Sequence, residues 1–470
     1  MQKKHVSLVA AVLIIGFVLI YSIWQRGPVE INVLAEDVAT GRALQAITAT
    51  RSPGAYQVTF QLKGYDDLNK LADQDFINGA GVYDVVLNYN TAAAKYSIGK
   101  YIVPIDEYDR ELRRSGFLDF NVRMQRIKAD LFPNVWKEIG FYYANGVFDA
   151  GGEPSAVAIP FAANTMVLAY NKALFQNERN RSRYMAEFNE ELAPPDTWGK
   201  FLRIAKFLFE SDKGANGLCL QGAESFNYYE WANFLYSTGG SIVPAKKFGW
   251  QGGASTRYDL SSPEVIQATR YYLSLKPYIA KQDYFSTDAG KQVECLIQNN
   301  ASMAIVWSDV LFDLDRGAHG KYLYTVIPGT TSMLAGGGFY VSAHSKHKAE
   351  AIEFILDMFK SATQGEDTQS ELLLKGLCPP TKAPYLNEEN RKKLPYVESV
   401  YASLTRGAYM LEAGPEADGV IQQLSAMLQG LWRKADVTGS VTGLEDTLSW
   451  TEESIRKHQQ EVYRSLTFKK

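Results

Sequence analysis

Residues 6–24 form a run of nineteen without a charged side chain, VSLVAAVLIIGFVLIYSIW. As a helix rising about 1.5 Å per residue it would extend roughly 28 Å, close to the hydrocarbon thickness of a bilayer. Nothing in it is amphipathic, so it does not read as a helix covering a globular core. Lys3 and Lys4 precede the run and only Arg26 comes soon after it. That bias keeps the amino terminus in the cytoplasm and puts everything after Gly27 outside. The segment is therefore read as an N-terminal membrane anchor (signal-anchor, residues 1–28), a single transmembrane helix with the bulk of the chain extracytoplasmic. A cleaved signal peptide is the competing reading, but YSIWQRGP offers no small-x-small cleavage pattern. No cysteine lies nearby, so lipid attachment in the manner of a bacterial lipoprotein is not expected.

At 470 residues the chain is too long for one ordinary compact domain and suggests two or three. A hydrophobic share of 46% allows a sizeable core, and a formal charge of −3 supplies no basic excess for nucleic acid. Cys219, Cys295 and Cys378 are far apart and form no CxxC pair, which argues against zinc and dithiol redox sites. Three free buried thiols are the simplest reading, with one disulfide plus a free thiol as the alternative outside the cytoplasm.

Short apolar strands alternate with helical stretches. INVLA (31–35), Tyr56–Leu62 and YDVVL (83–87) read as strands, and Asp37–Thr50 and Asp66–Asn78 as the helices between them. This βαβαβ opening implies a parallel sheet with right-handed crossovers. Helical spacing is clearest in Trp198, Phe201, Leu202, Ala205, Leu208 and Phe209, with Asp196 or Thr197 as the N-cap. Ile352–Phe359, Leu411–Gln429 and Leu444–Gln459 are further helices.

Five segments in order carry a resemblance: YDVVLNYNTAAAKYSIGKYIVPID (83–106), AIPFAANTMVLAYNKALF (158–175), PPDTWGKFLRIAKFL (194–208), NNASMAIVWSDVLFDL (299–314) and GGFYVSAHSKHKAEAIEFILDMF (337–359). Together they resemble the family 1 extracellular solute-binding proteins, whose best-known members bind maltose and other oligosaccharides. The resemblance implies an α/β, two-lobed periplasmic-binding-protein-like fold with an interlobe cleft and hinge. Lobe I is expected at 29–165 plus 328–380 and lobe II at 166–327 plus 381–470. It further implies a saccharide or other small polar solute as ligand and an ABC permease as partner. No cofactor and no metal are expected, and the chain is expected to act as a monomer.

A sugar presents hydroxyls around an apolar ring face, so its binder needs planar polar side chains and aromatic platforms. Asn88, Tyr89 and Asn90 come directly after the strand YDVVL, where a loop would meet ligand. Asn164 is a polar residue in an apolar strand run and needs a partner. It stands where maltose-binding relatives carry an acidic residue, so maltose itself is not the expected ligand. Asn227, Tyr229 and Trp231 lie where the family places ring-stacking aromatics, although such a run also suits a core. Trp307 is expected as the aromatic platform, with a tryptophan packing within its lobe as the alternative, and Asp309 as an acceptor of sugar hydroxyls or a helix cap. Gly337, within three successive glycines, lets backbone approach ligand or bend at a hinge, and Tyr340 lies three residues on.

No G-x-S-x-G, HExxH or Walker pattern occurs, and His319, His344, His347 and His458 lie in polar segments. An enzyme is therefore not expected. The alternatives kept are a ligand-binding protein serving a sensor or chemoreceptor and an anchored carbohydrate-active hydrolase.

Overall fold

A computed structural model describes residues 28–50, 56–142, 155–212, 216–243, 257–360, 367–409 and 414–467. The anchor expected at 6–24 lies outside the described residues. Among those described, no helix is long and apolar enough to cross a membrane.

The described residues build two five-stranded sheets. The first is made of β1 (Val29–Glu36), β2 (Tyr56–Lys63), β3 (Val85–Tyr89), β6 (Ile159–Pro160) and β11 (Gly337–Val341), in the order β2-β1-β3-β11-β6. β1 pairs parallel with both β2 and β3, as the βαβαβ pattern requires, and β11 runs antiparallel to β3 and β6. Alternate residues enter separate cores. Ile31, Val33, Val85, Leu87, Phe339 and Val341 pack on one face, while Leu34, Val86 and Tyr340 pack on the other. Burial of both faces explains why these strands read as continuous apolar runs.

The second sheet is made of β7 (Asn164–Asn171), β8 (Met303–Trp307), β10 (Ser332–Ala335) and β12 (Ala408–Tyr409), in the order β12-β10-β7-β8, with β9 (Tyr322–Val326) also on β7. It too is covered on both sides: Met166, Leu168, Met303, Ile305 and Trp307 join one core, Val167, Ala169, Ala304 and Val306 the other. A short ribbon of β4 (Phe141–Tyr142) and β5 (Ser155–Ala156) completes the strands described.

The two sheets are joined by strands that pass from one to the other. β6 leads through Phe161–Ala163 into β7, and β10 leads through Gly336 into β11. A side chain at Gly336 would put its Cβ 2.3 Å from the Ala162 carbonyl oxygen, and one at Gly337 2.3 Å from that of Asn88. Glycine is required here by close backbone approach.

The helix Trp198–Ser211 starts where expected, its first turn capped by the Thr197 side chain accepting from the Lys200 N–H. The helix expected from Leu411 begins instead at Ala417 and runs to Lys434. The last helix, Leu444–Thr467, is longer than the pattern suggested. Leu448 and Ile455 pack with the second sheet, whereas Tyr463 joins the core beside the first sheet that also holds Tyr142. Glu416, 1% exposed, accepts from Tyr258 Oη (3.2 Å) and Gln459 Nε2 (3.3 Å) beside that contact.

The simplest cysteine reading is corrected. Cys219 and Cys295 form a disulfide across 76 residues, with Cα atoms 6.1 Å apart, and Cys378 alone is free and buried. Both bonded cysteines sit in the core beneath the second sheet, a proximity that sequence separation conceals.

Candidate functional site: a cavity between the sheets

A cavity of about 90 Å³ lies where the two sheets meet, lined among others by Glu36, Asn88, Tyr89, Phe161, Asn164, Asp309 and Gly336. Glu36 ends β1, Tyr89 ends β3 and Asp309 stands two residues past β8. All three stand at carboxyl ends of strands, where open α/β sheets hold ligands. The start of the helix Ala39–Ala49 also faces the cavity through Val38, Ala39, Thr40 and Gly41. Val38 at its N-cap gives no side-chain hydrogen bond, so the first-turn N–H groups have no capping partner there.

The polar side chains form two pairs. Tyr89 Oη donates to Glu36 Oε2 at 2.6 Å, and Asn164 Nδ2 donates to Asp309 Oδ2 at 2.9 Å. The Asn164 amide oxygen, Oδ1, is buried without a hydrogen-bond partner. Loss of hydration pushes the Asp309 carboxyl up to about 6. Burial also raises Glu36, opposed by the bond from Tyr89, and holds the Tyr89 phenol well above its usual value. Among the described residues no group of His, Cys, Asp and Glu could hold a metal ion.

Of the expected site residues, the structure gathers Asn88, Tyr89, Asn164 and Asp309 around this cavity. Asn88 and Tyr89 belong to β3 and not to a loop beyond it, because pairing of Asn88 with Gly338 and of Tyr89 with Gly337 extends the strand. Asn88 is 2% exposed, and its Nδ2 donates to Asn69 Oδ1 and Tyr96 Oη. Asn90 is buried and gives its backbone N–H to the Gly336 carbonyl. Gly337 presses on the backbone of Asn88.

Three expected residues lie elsewhere. Trp231 is fully buried in the core of the second sheet, its indole N–H on Thr269 Oγ1 at 3.2 Å. Asn227 is buried against the helix Ala417–Lys434, donating to the Ser425 carbonyl at 3.0 Å. Tyr340 is fully buried on the face of the first sheet that holds Leu34 and Val86, edge-on to Tyr96, with its Oη donating to the Tyr89 carbonyl at 3.4 Å. Helical and strand periodicity turn these side chains inward, away from the cavity.

Trp307 is 6% exposed and packs edge-on against Tyr229, ring centres 5.5 Å apart. Tyr229 is only half-buried, and the charge of Asp418 reaches both it and Tyr65; burial first, and that charge second, raise the two phenols. Tyr65 in turn tilts onto Tyr89 at 5.8 Å. Tyr65 and Tyr229 thus lie within electrostatic reach of each other and of Asp418, outside the lining of the cavity. Glu36, Tyr65, Phe161 and Asp418 were not singled out from sequence. Glu36 could have been, since it ends the first strand of the βαβαβ unit by the logic applied to Asn88.

These positions separate two effects. Trp307→Ala is expected to cost about 3–5 kcal/mol of stability, as a large core truncation does. Tyr229→Ala is expected to weaken ligand binding about tenfold, through lost stacking of roughly 1.5 kcal/mol. Urea melts and titrations of both variants check this; equal affinity in wild type and Tyr229→Ala would remove Tyr229 from the ligand surface.

The model of the bacterial extracellular solute-binding protein family matches residues 45–395. No curated protein matches the chain in sequence. Among solved structures, it is similar to an ABC transporter solute-binding protein of Agrobacterium radiobacter K84 in complex with ribitol. The TM-score is 0.69 at 20% identity, covering 91% of this chain and 98% of that one. It is also similar to one of Thermotoga lettingae bound with α-D-tagatose, with TM-score 0.66, 16% identity and coverage of 92% and 100%. The GacH receptor of Streptomyces glaucescens, solved unliganded and with acarbose, gives TM-score 0.68, 17% identity and coverage of 93% and 99%. These likenesses establish the two-lobed α/β fold over nearly the whole described chain.

Proposed function

This chain belongs to the bacterial extracellular solute-binding proteins, and from that premise we propose that it is the extracytoplasmic solute-binding subunit of an ABC importer. Its ligand is a small polyhydroxylated solute, a sugar or polyol, held between the lobes and passed to the permease. The observation that carries this reading is the cavity between the sheets, with Glu36, Asn164 and Asp309 among its lining. Carboxylates and a free amide oxygen are acceptors, and hydroxyls are donors that satisfy them. Tyr65, Tyr89 and Tyr229 supply ring faces nearby. The solved neighbours bound to ribitol and tagatose lend the same support.

The lobes in this reading divide near 165 and, because β10 pairs with β7 in the second sheet, near Gly336 and not at 328, with the remaining residues after 380 in lobe II. The run at 6–24 anchors the protein to the membrane, and binding without chemistry is its work. The Cys219–Cys295 disulfide supports an oxidising compartment outside the cytoplasm.

A thermal-shift screen of the full chain in mild detergent tests the proposal against sugars, polyols and amino acids. A true ligand at a hundredfold excess over Kd stabilises by about 2.7 kcal/mol. A hit confined to amino acids would overturn the sugar or polyol assignment, and silence across all classes would overturn the small-solute reading.

A further inference from the structure

The side-chain charge of the cavity is one-sided. Tyr89 Oη donates to Glu36, Asn164 Nδ2 gives one of its two N–H groups to Asp309, and both Asn88 Nδ2 bonds go to Asn69 and Tyr96. What remains open is mostly acceptor capacity, the carboxylates of Glu36 and Asp309 and the unpartnered Oδ1 of Asn164, beside one N–H of Asn164 and the Thr40 hydroxyl. The lining contains two acidic side chains and no lysine, arginine or histidine. The uncapped helix start at Val38–Gly41 adds partial positive charge worth about half an elementary unit, too little to balance two carboxylates. A neutral hydroxyl would satisfy one acceptor and leave the charge. An ammonium carries three donors, no acceptor and the missing charge.

We propose that the solute carries a protonated primary amine, seated between Glu36, Asp309 and the Asn164 amide oxygen. This rests on the sugar or polyol reading and narrows it to an amino sugar or amino polyol. The ring of Tyr89, in the lining, adds cation–π attraction for the same group. Binding of such a ligand weakens with salt, because charge pairing is screened.

Calorimetric titration of the full chain at pH 7.5 tests this with matched pairs: D-glucosamine and D-glucose, D-galactosamine and D-galactose, 1-amino-1-deoxy-D-glucitol and D-glucitol. Putrescine serves as an amine without hydroxyls. The expected result is an amine binding at least tenfold tighter than its neutral counterpart. Asp309→Asn is expected to reduce that preference at least fivefold, with a melt confirming that the variant is folded. Putrescine binding while every amino sugar fails would support the ammonium seat and overturn the sugar reading. Neutral members binding as tightly as their amines would overturn the ammonium seat and leave the sugar reading standing. Absence of binding by every amine would overturn it as well.

Discussion

Replacing Cys219 and Cys295 together by serine is expected to lower stability by about 4 kcal/mol. The bond closes a loop of 76 residues, and releasing that constraint returns chain entropy to the unfolded state on this scale. The crosslink ties the segment before the helix Phe226–Tyr236 to the helix Ala289–Gln298, next to β8. Urea unfolding of oxidised wild type against the double variant measures the loss, and a difference under about 1 kcal/mol would show native-state relaxation offsetting the entropy. Cys378 adds no competing pairing in the native state. It is buried, its thiol is pushed up to about 12 by loss of hydration, and it donates to Ser308 Oγ at 3.0 Å.

Asp309→Asn is expected to stabilise the ligand-free protein at pH 7.5 by up to about 3 kcal/mol, less whatever cleft water screens. The Asp309 carboxyl titrates at about 6 in the folded protein, against an unfolded value near 4. Below pH 4 both states are protonated and the side chain costs nothing. Between pH 4 and 6 the unfolded chain releases its proton first, so stability falls as pH rises, and above 6 the full penalty remains. The variant should therefore gain at pH 7.5 and match wild type at pH 4. Ligand affinity has the opposite trend, because donors on a solute favour the ionised form. Affinity should drop about tenfold from pH 7 to pH 5. Melts and titrations across that range test both, and a flat profile in each would mean that Asp309 does not titrate in the cleft.

The opening βαβαβ unit was legible because strand and crossover lengths follow from local apolar runs, and Thr197 announced its helix by type and position. The family itself was readable from the five ordered segments. The individual site residues were less so. Asn164 and Asp309 are 145 positions apart, and only the antiparallel pairing of β7 with β8 brings them to 2.9 Å. Trp231 and Tyr229 share a helix and a composition, and what separates core from cleft is a rotation of two residues. The disulfide was hidden for the same reason as the Asn164–Asp309 pair: its partners meet only when the core around the second sheet is assembled.

The helix Leu444–Thr467 is a tether as well as a cover. Over 24 residues it extends about 36 Å, leaning on one sheet through Leu448 and Ile455 and on the core of the other through Tyr463. Swinging the sheets apart must either bend this rod or pull Tyr463 away from the core it shares with Tyr142. Part of the resistance to opening is then set by a contact far from any solute. Apparent affinity scales with the fraction of molecules already in the holding posture, so residues at the end of the chain can tune capture without touching what is captured.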